Sequence, residues 1–258
     1  MPNYKEISRE ARLKVLDLIY KAQTSHIGSN FSCIDILSVL FERMDLDKDK
    51  FVLSKGWVAA SLYYFLWRKG RITLEQLDSY CQEGSPFIGL AEPIIPDIQI
   101  AGGSMGLGFP GAVGLALAKK VKGEAGNVYV LMSDGEMHSG TTWEAALIAA
   151  HHKLDNLMVI VDVNGFSAMG TTDEVLKINP LYPKWLEFGW NTCNVYGHTF
   201  SSLENGLEIL DIYKGLPAAV LAKTTKGKGV SFMENNNLYH YKGLSEEEYL
   251  KAKDELHA

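Results

Sequence analysis

The sequence predicts an α/β fold in which a parallel β-sheet is covered by helices on both faces. Apolar runs at 128–132, 157–161 and 218–223 alternate with segments that have helical spacing. Strands that are buried on both faces are continuously apolar, and their regular alternation with helices is typical of parallel sheets. The 258 residues contain no linker rich in proline or serine, so one domain spanning 1–258 is expected.

The N-terminal part begins with a predicted amphipathic helix over 4–23, where apolar residues recur at steps of three and four. A polar loop is expected at 25–30, and a second helix follows over 34–44. A short apolar strand at 51–53 then leads into an aromatic-rich helix that ends near residue 67. These elements supply one strand of the sheet and helices to cover it.

The remaining helices are indicated by caps and by small residues. Thr73 with Gln76 fits a capping box, and Ser245 with Glu248 fits another at the start of the last helix. Residues 84–103 carry glycines and prolines and are expected to be irregular. The other predicted elements are helices at 107–120, 142–153, 182–188 and 202–213 and a strand at 192–196.

The charge balance and the cysteine content narrow the class of protein. Asp and Glu number 31 against 25 Lys and Arg, whereas proteins that bind nucleic acid through phosphates carry a basic excess, so no nucleic-acid partner is expected. The cysteines Cys33, Cys81 and Cys193 are scattered, which favours a reducing, cytoplasmic compartment over a disulfide framework or a zinc site. The polar N-terminus and the lack of an apolar run of about 18 residues predict neither a signal peptide nor a membrane partner.

Two oxygen-bearing side chains follow successive predicted strands. Asp134 comes after the first of them and Asn164 after the next, so both should lie at the carboxyl edge of the sheet, where ligands of such folds bind. One carboxylate, one amide oxygen and a nearby backbone carbonyl are hard ligands that suit Mg²⁺, or Ca²⁺ or Mn²⁺, held partly by a phosphate. Gly135 would let the backbone turn beneath a diphosphate.

Several motifs together resemble those of a known family. Asp-Gly-Glu at 134–136, Leu-Asp-Asn-Leu at 154–157 and Asp-Val-Asn-Gly at 162–165 resemble the thiamine diphosphate fingerprint, and the nearest match is the transketolase family in its split bacterial form. The similarity covers nearly the whole chain. Further matching segments are the loop 25–28, the strand and turn 51–56, the glycine-rich loop 102–108, the helix segment 143–146 and the Lys-Gly-Lys-Gly segment within 223–234.

The resemblance implies a thiamine diphosphate-binding (PP) domain and assigns its site. Asp134, Asn164 and the carbonyl of Phe166 would bind the metal, normally Mg²⁺, and His26 and His240 would be catalytic groups facing the reacting sugar. The residues implied to bind the cofactor are Gly103, Ser104, Met105, Asp134, Gly135, Glu136 and Asn164.

The same resemblance implies a partner chain. Full-length family members continue into a pyrimidine-binding domain, which supplies the glutamate that activates the cofactor. This chain would then be the N-terminal subunit of a split transketolase-like enzyme, active only with a C-terminal subunit, as a heterotetramer with two copies of each chain. The reaction implied is transfer of a two-carbon ketol unit from a ketose to an aldehyde.

Three positions depart from the family pattern. Trp57 and Leu90 stand where the family usually has histidines, and Ser139 stands where it has a glutamate. Loss of a hydrogen-bond partner changes which substrate a site accepts, so a modified or nucleotide-linked sugar is expected. Two alternatives stay open: an α-keto acid decarboxylase or dehydrogenase E1-type subunit, and a non-catalytic cofactor-binding subunit.

The remaining charged and aromatic residues have ordinary explanations. Lys226 and Lys228 are expected to be surface charges in the Lys-Gly-Lys-Gly segment. The aromatic residues of 57–67 are expected in the core or at a subunit interface rather than around a cofactor.

Overall fold

A computed structural model describes residues 2–258 and shows a five-stranded sheet in the order β1-β2-β3-β5-β4. All four strand pairs are parallel. The strands are β1 Lys50–Leu53, β2 Val128–Ser133, β3 Leu157–Val163, β4 Asn191–Tyr196 and β5 Ala218–Lys223. The predicted parallel α/β fold is therefore confirmed.

The helices connect the strands and form the outer layers. In residues 2–258, three short 3-10 segments add to them, at Gly56–Val58, Asp134–His138 and Asn237–His240. The α-helices are α1 Tyr4–Ala22, α2 Ile27–Arg43, α3 Ala59–Arg68, α4 Leu74–Asp78, α5 Gly108–Lys122, α6 Gly140–His151, α7 Thr172–Val175, α8 Leu181–Glu187, α9 Phe200–Leu207, α10 Ile209–Ile212 and α11 Glu246–His257.

The two faces of the sheet belong to two hydrophobic cores. Leu131 and Ile160 point into the core formed with α1, α2, α3, α9 and α11. Their chain neighbours Val130 and Val159 point into the opposite core, formed with α5, α6 and α8. Since successive side chains of a strand alternate between faces, both faces need apolar residues, which explains the continuous apolar runs in the sequence.

Most element boundaries agree with the sequence prediction. β5 spans the predicted 218–223, and β3 continues two residues beyond the predicted end at 161. Both capping boxes form, at Thr73 and at Ser245. The helix predicted over 202–213 is instead two helices, α9 and α10. Within residues 2–258, no helix combines the length and apolarity needed to cross a bilayer.

The polar loop predicted at 25–30 is wrong, because α2 begins at Ile27. Its first turns are polar but buried, and their hydrogen bonds are satisfied inside the protein. The Asn30 side chain accepts from the Ser61 N–H (3.1 Å) and hydroxyl (2.8 Å) and donates to the His26 carbonyl (2.9 Å). These partners lie far away in the sequence, so polarity alone could not distinguish a buried helix from an exposed loop.

Candidate active site

A cavity of about 120 Å³ opens at the carboxyl edge of the sheet. Its walls come from the segments that follow β1, β2 and β3, from the start of α2 and from the 3-10 segment Asn237–His240. Seven of the predicted site residues line it: His26, Gly103, Met105, Gly135, Asn164, Phe166 and His240. The fold thus brings together residues that lie far apart in the sequence.

Asp134 and Asn164 lie on neighbouring strand ends, as their spacing predicts. Ser133 pairs with Asp162 in the β2–β3 register. The buried Asp134 carboxylate accepts hydrogen bonds from the N–H groups of Gly165 (2.7 Å) and Gly135 (2.9 Å). These bonds fix the two loops against each other at the edge of the sheet.

The oxygen atoms at this edge fit a hard cation. The Asn164 amide oxygen accepts from the Phe166 N–H at 3.0 Å, and a Cβ added to Gly135 would lie 3.7 Å from the Phe166 carbonyl oxygen. Burial, and then the charge of Asp162, raise the pKa of Asp134 to about 7, although the Gly165 N–H opposes this. The raised pKa means that burial destabilises the ionised form of this carboxyl group. A cation bound next to it would stabilise the ionised form.

The donor set resembles an open site more than a closed cage. Among residues 2–258, no three His, Cys, Asp or Glu side chains cluster as a metal site. One acid, one amide and one carbonyl leave further coordination positions to a ligand, which suits Mg²⁺ with a diphosphate.

A buried ion pair supports the floor of the cavity. Lys55, two residues after the end of β1, donates to the Asp162 carboxylate. This carboxylate also accepts from the hydroxyls of Thr224 and Ser32, the latter at 2.6 Å. Burial alone would raise the pKa of Asp162, but Lys55 outweighs it and the net shift is downward. Both partners are therefore charged, and the pair joins β1, β3 and α2.

The two candidate catalytic histidines are in contact. The backbone N–H of His26 donates to the backbone carbonyl of His240 at 2.9 Å, and the two ring centroids lie 4.8 Å apart in an edge arrangement. Burial, followed by the charge of Lys226, lowers the pKa of His26 to about 4 and that of His240 to about 3. Both rings are therefore neutral near pH 7 and can hydrogen bond without carrying charge.

The prediction that Lys226 is a surface charge is wrong, since its side chain is 1% exposed. The ammonium donates to Asn237 Oδ1 at 2.6 Å and lies 2.9 Å from His240 Nδ1. Lys228 differs, because it is half-exposed and forms an ion pair with Glu234 at 3.0 Å. The chain turns at Gly227, where φ is 78°, so the first lysine points inward and the second outward.

The glycine-rich loop lies above a buried acid. The Gly106 N–H and the Ser54 hydroxyl both donate to Glu136 Oε1, the former at 3.1 Å, whereas Glu136 Oε2 has no partner among the described residues. Burial raises the pKa of Glu136 to about 7. Glu136 therefore supports the loop from below, while Ser104 lies exposed on its outer side.

Two of the three departures from the family pattern, Trp57 and Leu90, place apolar groups beside the site. Trp57 is 47% exposed and stacks on His26. Leu90 packs so closely on Gly103 that a Cβ there would lie 2.3 Å from a Leu90 methyl carbon. Ser139 is the N-cap residue directly before α6, and its side chain makes no capping bond.

A buried polar network that no sequence motif indicates holds the 223–229 turn. Arg12 donates two hydrogen bonds to Asp35, at 2.8 and 2.9 Å, and also reaches the Lys228 carbonyl at 2.9 Å. His198 Nδ1 lies 2.7 Å from Asp35, and its Nε2 accepts from the Thr225 N–H at 2.8 Å. The local signal in the sequence is a histidine, His198, two residues after the end of strand β4.

The fold and the cavity define an α/β domain with a ligand site at the carboxyl edge of its parallel sheet. The family model described as "Transketolase, thiamine diphosphate binding domain" matches residues 4–257. The chain therefore belongs to the transketolase family, and the resemblance seen in the sequence is confirmed.

The relatives include components of split enzymes. The chain is 33% identical to one of the subunits of apulose-4-phosphate transketolase from Phocaeicola vulgatus, with 96% of this chain and 92% of that protein covered. It is also 33% identical to "6-deoxy-6-sulfo-D-fructose transketolase subunit SqwG" of a Clostridium species, over 95% of this chain and 93% of that protein. Among solved structures, transketolase from Campylobacter jejuni superposes with a TM-score of 0.92 at 30% identity, and this chain covers 43% of it.

Proposed function

We propose that the chain is the N-terminal subunit of a split transketolase-like enzyme that transfers a two-carbon ketol unit from a ketose to an aldehyde. One observation carries the proposal: a single cavity joins the oxygen donors Asn164 and Phe166 to the neutral histidines His26 and His240. Such a site has groups for a metal diphosphate at one end and for a polyhydroxylated substrate at the other.

The residues at the strand ends would hold the cofactor through its metal. Asp134, Asn164 and the Phe166 carbonyl offer ligands to Mg²⁺, and the buried ammonium of Lys55 adds positive charge on the same side. When bound, thiamine diphosphate supplies the electron sink for breaking and forming a carbon–carbon bond next to a carbonyl. Gly103, Ser104 and Met105, on the loop that Glu136 supports, would contact it.

The two histidines would orient the sugar. Because burial keeps His26 and His240 neutral, each imidazole offers one donor and one acceptor to hydroxyl or carbonyl oxygens of the substrate. Trp57 covers one face of His26 and excludes water from it. The chain's own contribution is thus to bind, orient and shield the reacting groups.

A partner subunit would complete the site. The cavity of about 120 Å³ is well below the roughly 300–1,000 Å³ of ordinary small-molecule pockets. The apolar side chains of Trp57 and Met105 line it and are exposed, and exposed apolar surfaces mark interaction sites. The names of two relatives, each given as a subunit, support the same assignment, and we propose a heterotetramer with two copies of each chain.

The substrate would be a modified sugar. Leu90 and Trp57 replace polar groups of the family pattern, and the two relatives are named for apulose-4-phosphate and for a sulfonated fructose. We also propose a cytoplasmic location, which the three free cysteines support because reducing compartments keep thiols unpaired.

The decisive experiment reconstitutes this chain with a C-terminal transketolase subunit. Calorimetry should show Mg²⁺-dependent thiamine diphosphate binding, and ketol transfer between sugar phosphates should follow. Asp134→Ala should abolish both, whereas Asp155→Ala, at the amino end of β3 and paired with Lys120, should abolish neither. Transfer retained by Asp134→Ala would overturn the proposal, as would CO₂ release from pyruvate in place of ketol transfer.

A further inference from the structure

Lys226 makes an unusual contact for a buried lysine. Its ammonium has two polar neighbours, Asn237 Oδ1 at 2.6 Å and His240 Nδ1 at 2.9 Å. It forms no ion pair with a carboxylate in the described part of the chain. Burying a charge without a countercharge is costly, so the residue is not explained by stability alone.

The contact constrains the protonation of His240. Burial, followed by the charge of Lys55, lowers the pKa of Lys226 to about 7. Below that pH the side chain is an ammonium with three hydrogens to donate and no lone pair, so a ring nitrogen bonded to it must accept. A neutral imidazole that accepts at Nδ1 carries its hydrogen on Nε2. The Ser29 hydroxyl approaches the same Nδ1 at 3.4 Å and does not change this conclusion, because a hydroxyl can donate as well.

The other nitrogen of His240 is available to a ligand. The ring lines the cavity, and no hydrogen bond to Nε2 is found within residues 2–258. The polar group that His240 offers to the cavity is therefore the Nε2–H donor.

We infer that Lys226 is a positioning residue that holds His240 in the Nε2–H tautomer, so that His240 donates a hydrogen bond to an oxygen of the sugar. The role of His240 toward the sugar rests on the proposed function. The tautomer itself is a property of this chain and can be tested without cofactor or substrate.

The surroundings of Lys226 hold its ammonium in place. The His198–Thr225 hydrogen bond (2.8 Å) fixes the backbone just before Lys226, and the Gly227 N–H donates to the Gly28 carbonyl (2.9 Å) just after it. The aliphatic stem packs near Gly28, where a Cβ would lie 3.4 Å from Lys226 Cγ. The side chain therefore reaches His240 from a backbone that is fixed on both sides.

The test reads the tautomer directly by ¹⁵N NMR of the full 258-residue chain labelled at histidine, with His240 assigned from a His240→Asn variant. At pH 6, where Lys226 is protonated and His240 is neutral, the wild-type ring should show a protonated Nε2 and an unprotonated Nδ1. Lys226→Met should mix the tautomers, and Lys226→Arg should restore the wild-type pattern, because arginine also only donates. Lys228→Met, two residues away on the outer side of the turn, is the matched control and should leave the spectrum unchanged.

In the reconstituted complex, Lys226→Met should lower kcat about tenfold or more with little change in the dissociation constant of thiamine diphosphate. If Nδ1 of His240 carries the hydrogen in the wild type, the inference is overturned. Lys226 would then be a neutral amine that accepts a hydrogen bond from Nδ1–H. Loss of cofactor binding with an unchanged tautomer also overturns it, since Lys226 would then be a cofactor ligand. If the wild-type complex binds no cofactor, the proposed function fails while the tautomer measurement still decides the inference.

Discussion

The indole of Trp57 lies nearly parallel to the imidazole of His26, with ring centroids 5.0 Å apart and an interplanar angle of 13°. His26 also meets the edge of His240, so its ring is enclosed on two sides. The stack explains why a residue at the mouth of the cavity has its pKa lowered mainly by burial. An aromatic substitution in the family pattern thus acts directly on a candidate catalytic group.

Removing the indole should return His26 toward ordinary behaviour. We expect Trp57→Ala to raise the pKa of His26 from about 4 toward its usual value of 6.5, because water then reaches the ring. Loss of the aromatic contact, about 0.5–1.5 kcal/mol, should lower kcat/KM for the donor roughly threefold to tenfold. An NMR titration and steady-state kinetics measure the two effects. Trp67→Ala, at the end of α3 and away from the cavity, should move neither, and an unshifted His26 in Trp57→Ala would contradict the prediction.

The raised pKa of Asp134 predicts a specific dependence of stability on pH. A carboxyl whose pKa is about 7 when folded and 3.8 when unfolded binds more protons in the folded state between these values. Its contribution to folding is therefore present at low pH and is lost as the pH rises toward 7. Compared with the wild type without metal, Asp134→Asn should gain stability over pH 4 to 7, by an amount of order a few kcal/mol.

Urea unfolding at several pH values measures this difference, and taking the variant against the wild type removes the opposing contributions of the buried histidines. Mg²⁺ and thiamine diphosphate, added to the complex, should stabilise the wild type but not the variant. If the difference in unfolding free energy between Asp134→Asn and the wild type did not change with pH, Asp134 would be ionised to the same extent in the folded and the unfolded chain, and the prediction would be wrong.

The sheet could be predicted because its signals are local. Each central strand is a continuous apolar run, and the polar residues Asp134 and Asn164 end two neighbouring runs, so their meeting follows from parallel topology. The start of α2 and the burial of Lys226 could not be predicted in this way. Asn30 and Lys226 are satisfied by Ser61, Asn237 and His240, and no spacing in the sequence marks such tertiary contacts.

The same limit applies to the site. Sequence similarity indicated His26 and His240, but it gave no reason for them to be neutral, which depends on burial and on Lys226. It also gave Trp57 only as a missing histidine. The parallel stack on His26 is a property of the folded chain.

Gly102 is required by a close approach of two backbones. A Cβ at this position would lie 1.8 Å from the Leu53 carbonyl oxygen, so Gly102→Ala must displace the glycine-rich loop from the end of β1. We expect a loss of about 1–3 kcal/mol in unfolding free energy and weaker cofactor binding by the complex. Gly114→Ala is the matched control, because its Cβ would meet nothing within 4 Å, and in α5 it should stabilise the chain by up to about 1 kcal/mol. Equal melting temperatures for the two variants would argue against the close approach.

Asp35 joins three segments that together hold the turn carrying Lys226, so its loss should affect both stability and the site. The Arg12–Asp35 pair is buried, with side-chain exposures of 8% and 6%, and removing one partner of a buried pair costs about 3–5 kcal/mol. Asp35→Asn should therefore lower the melting temperature sharply in differential scanning calorimetry. It should also broaden the His198 ring signals in NMR, because the carboxylate that faces His198 Nδ1 is gone.

The control variant is Asp45→Asn, which breaks an exposed pair with Lys48. It should leave the melting temperature unchanged, since surface pairs contribute little. Equal melting temperatures for Asp35→Asn and Asp45→Asn would show that the Arg12–Asp35–His198 network does not hold the turn. The position of Lys226 would then depend on its contacts with Asn237 and on the turn at Gly227.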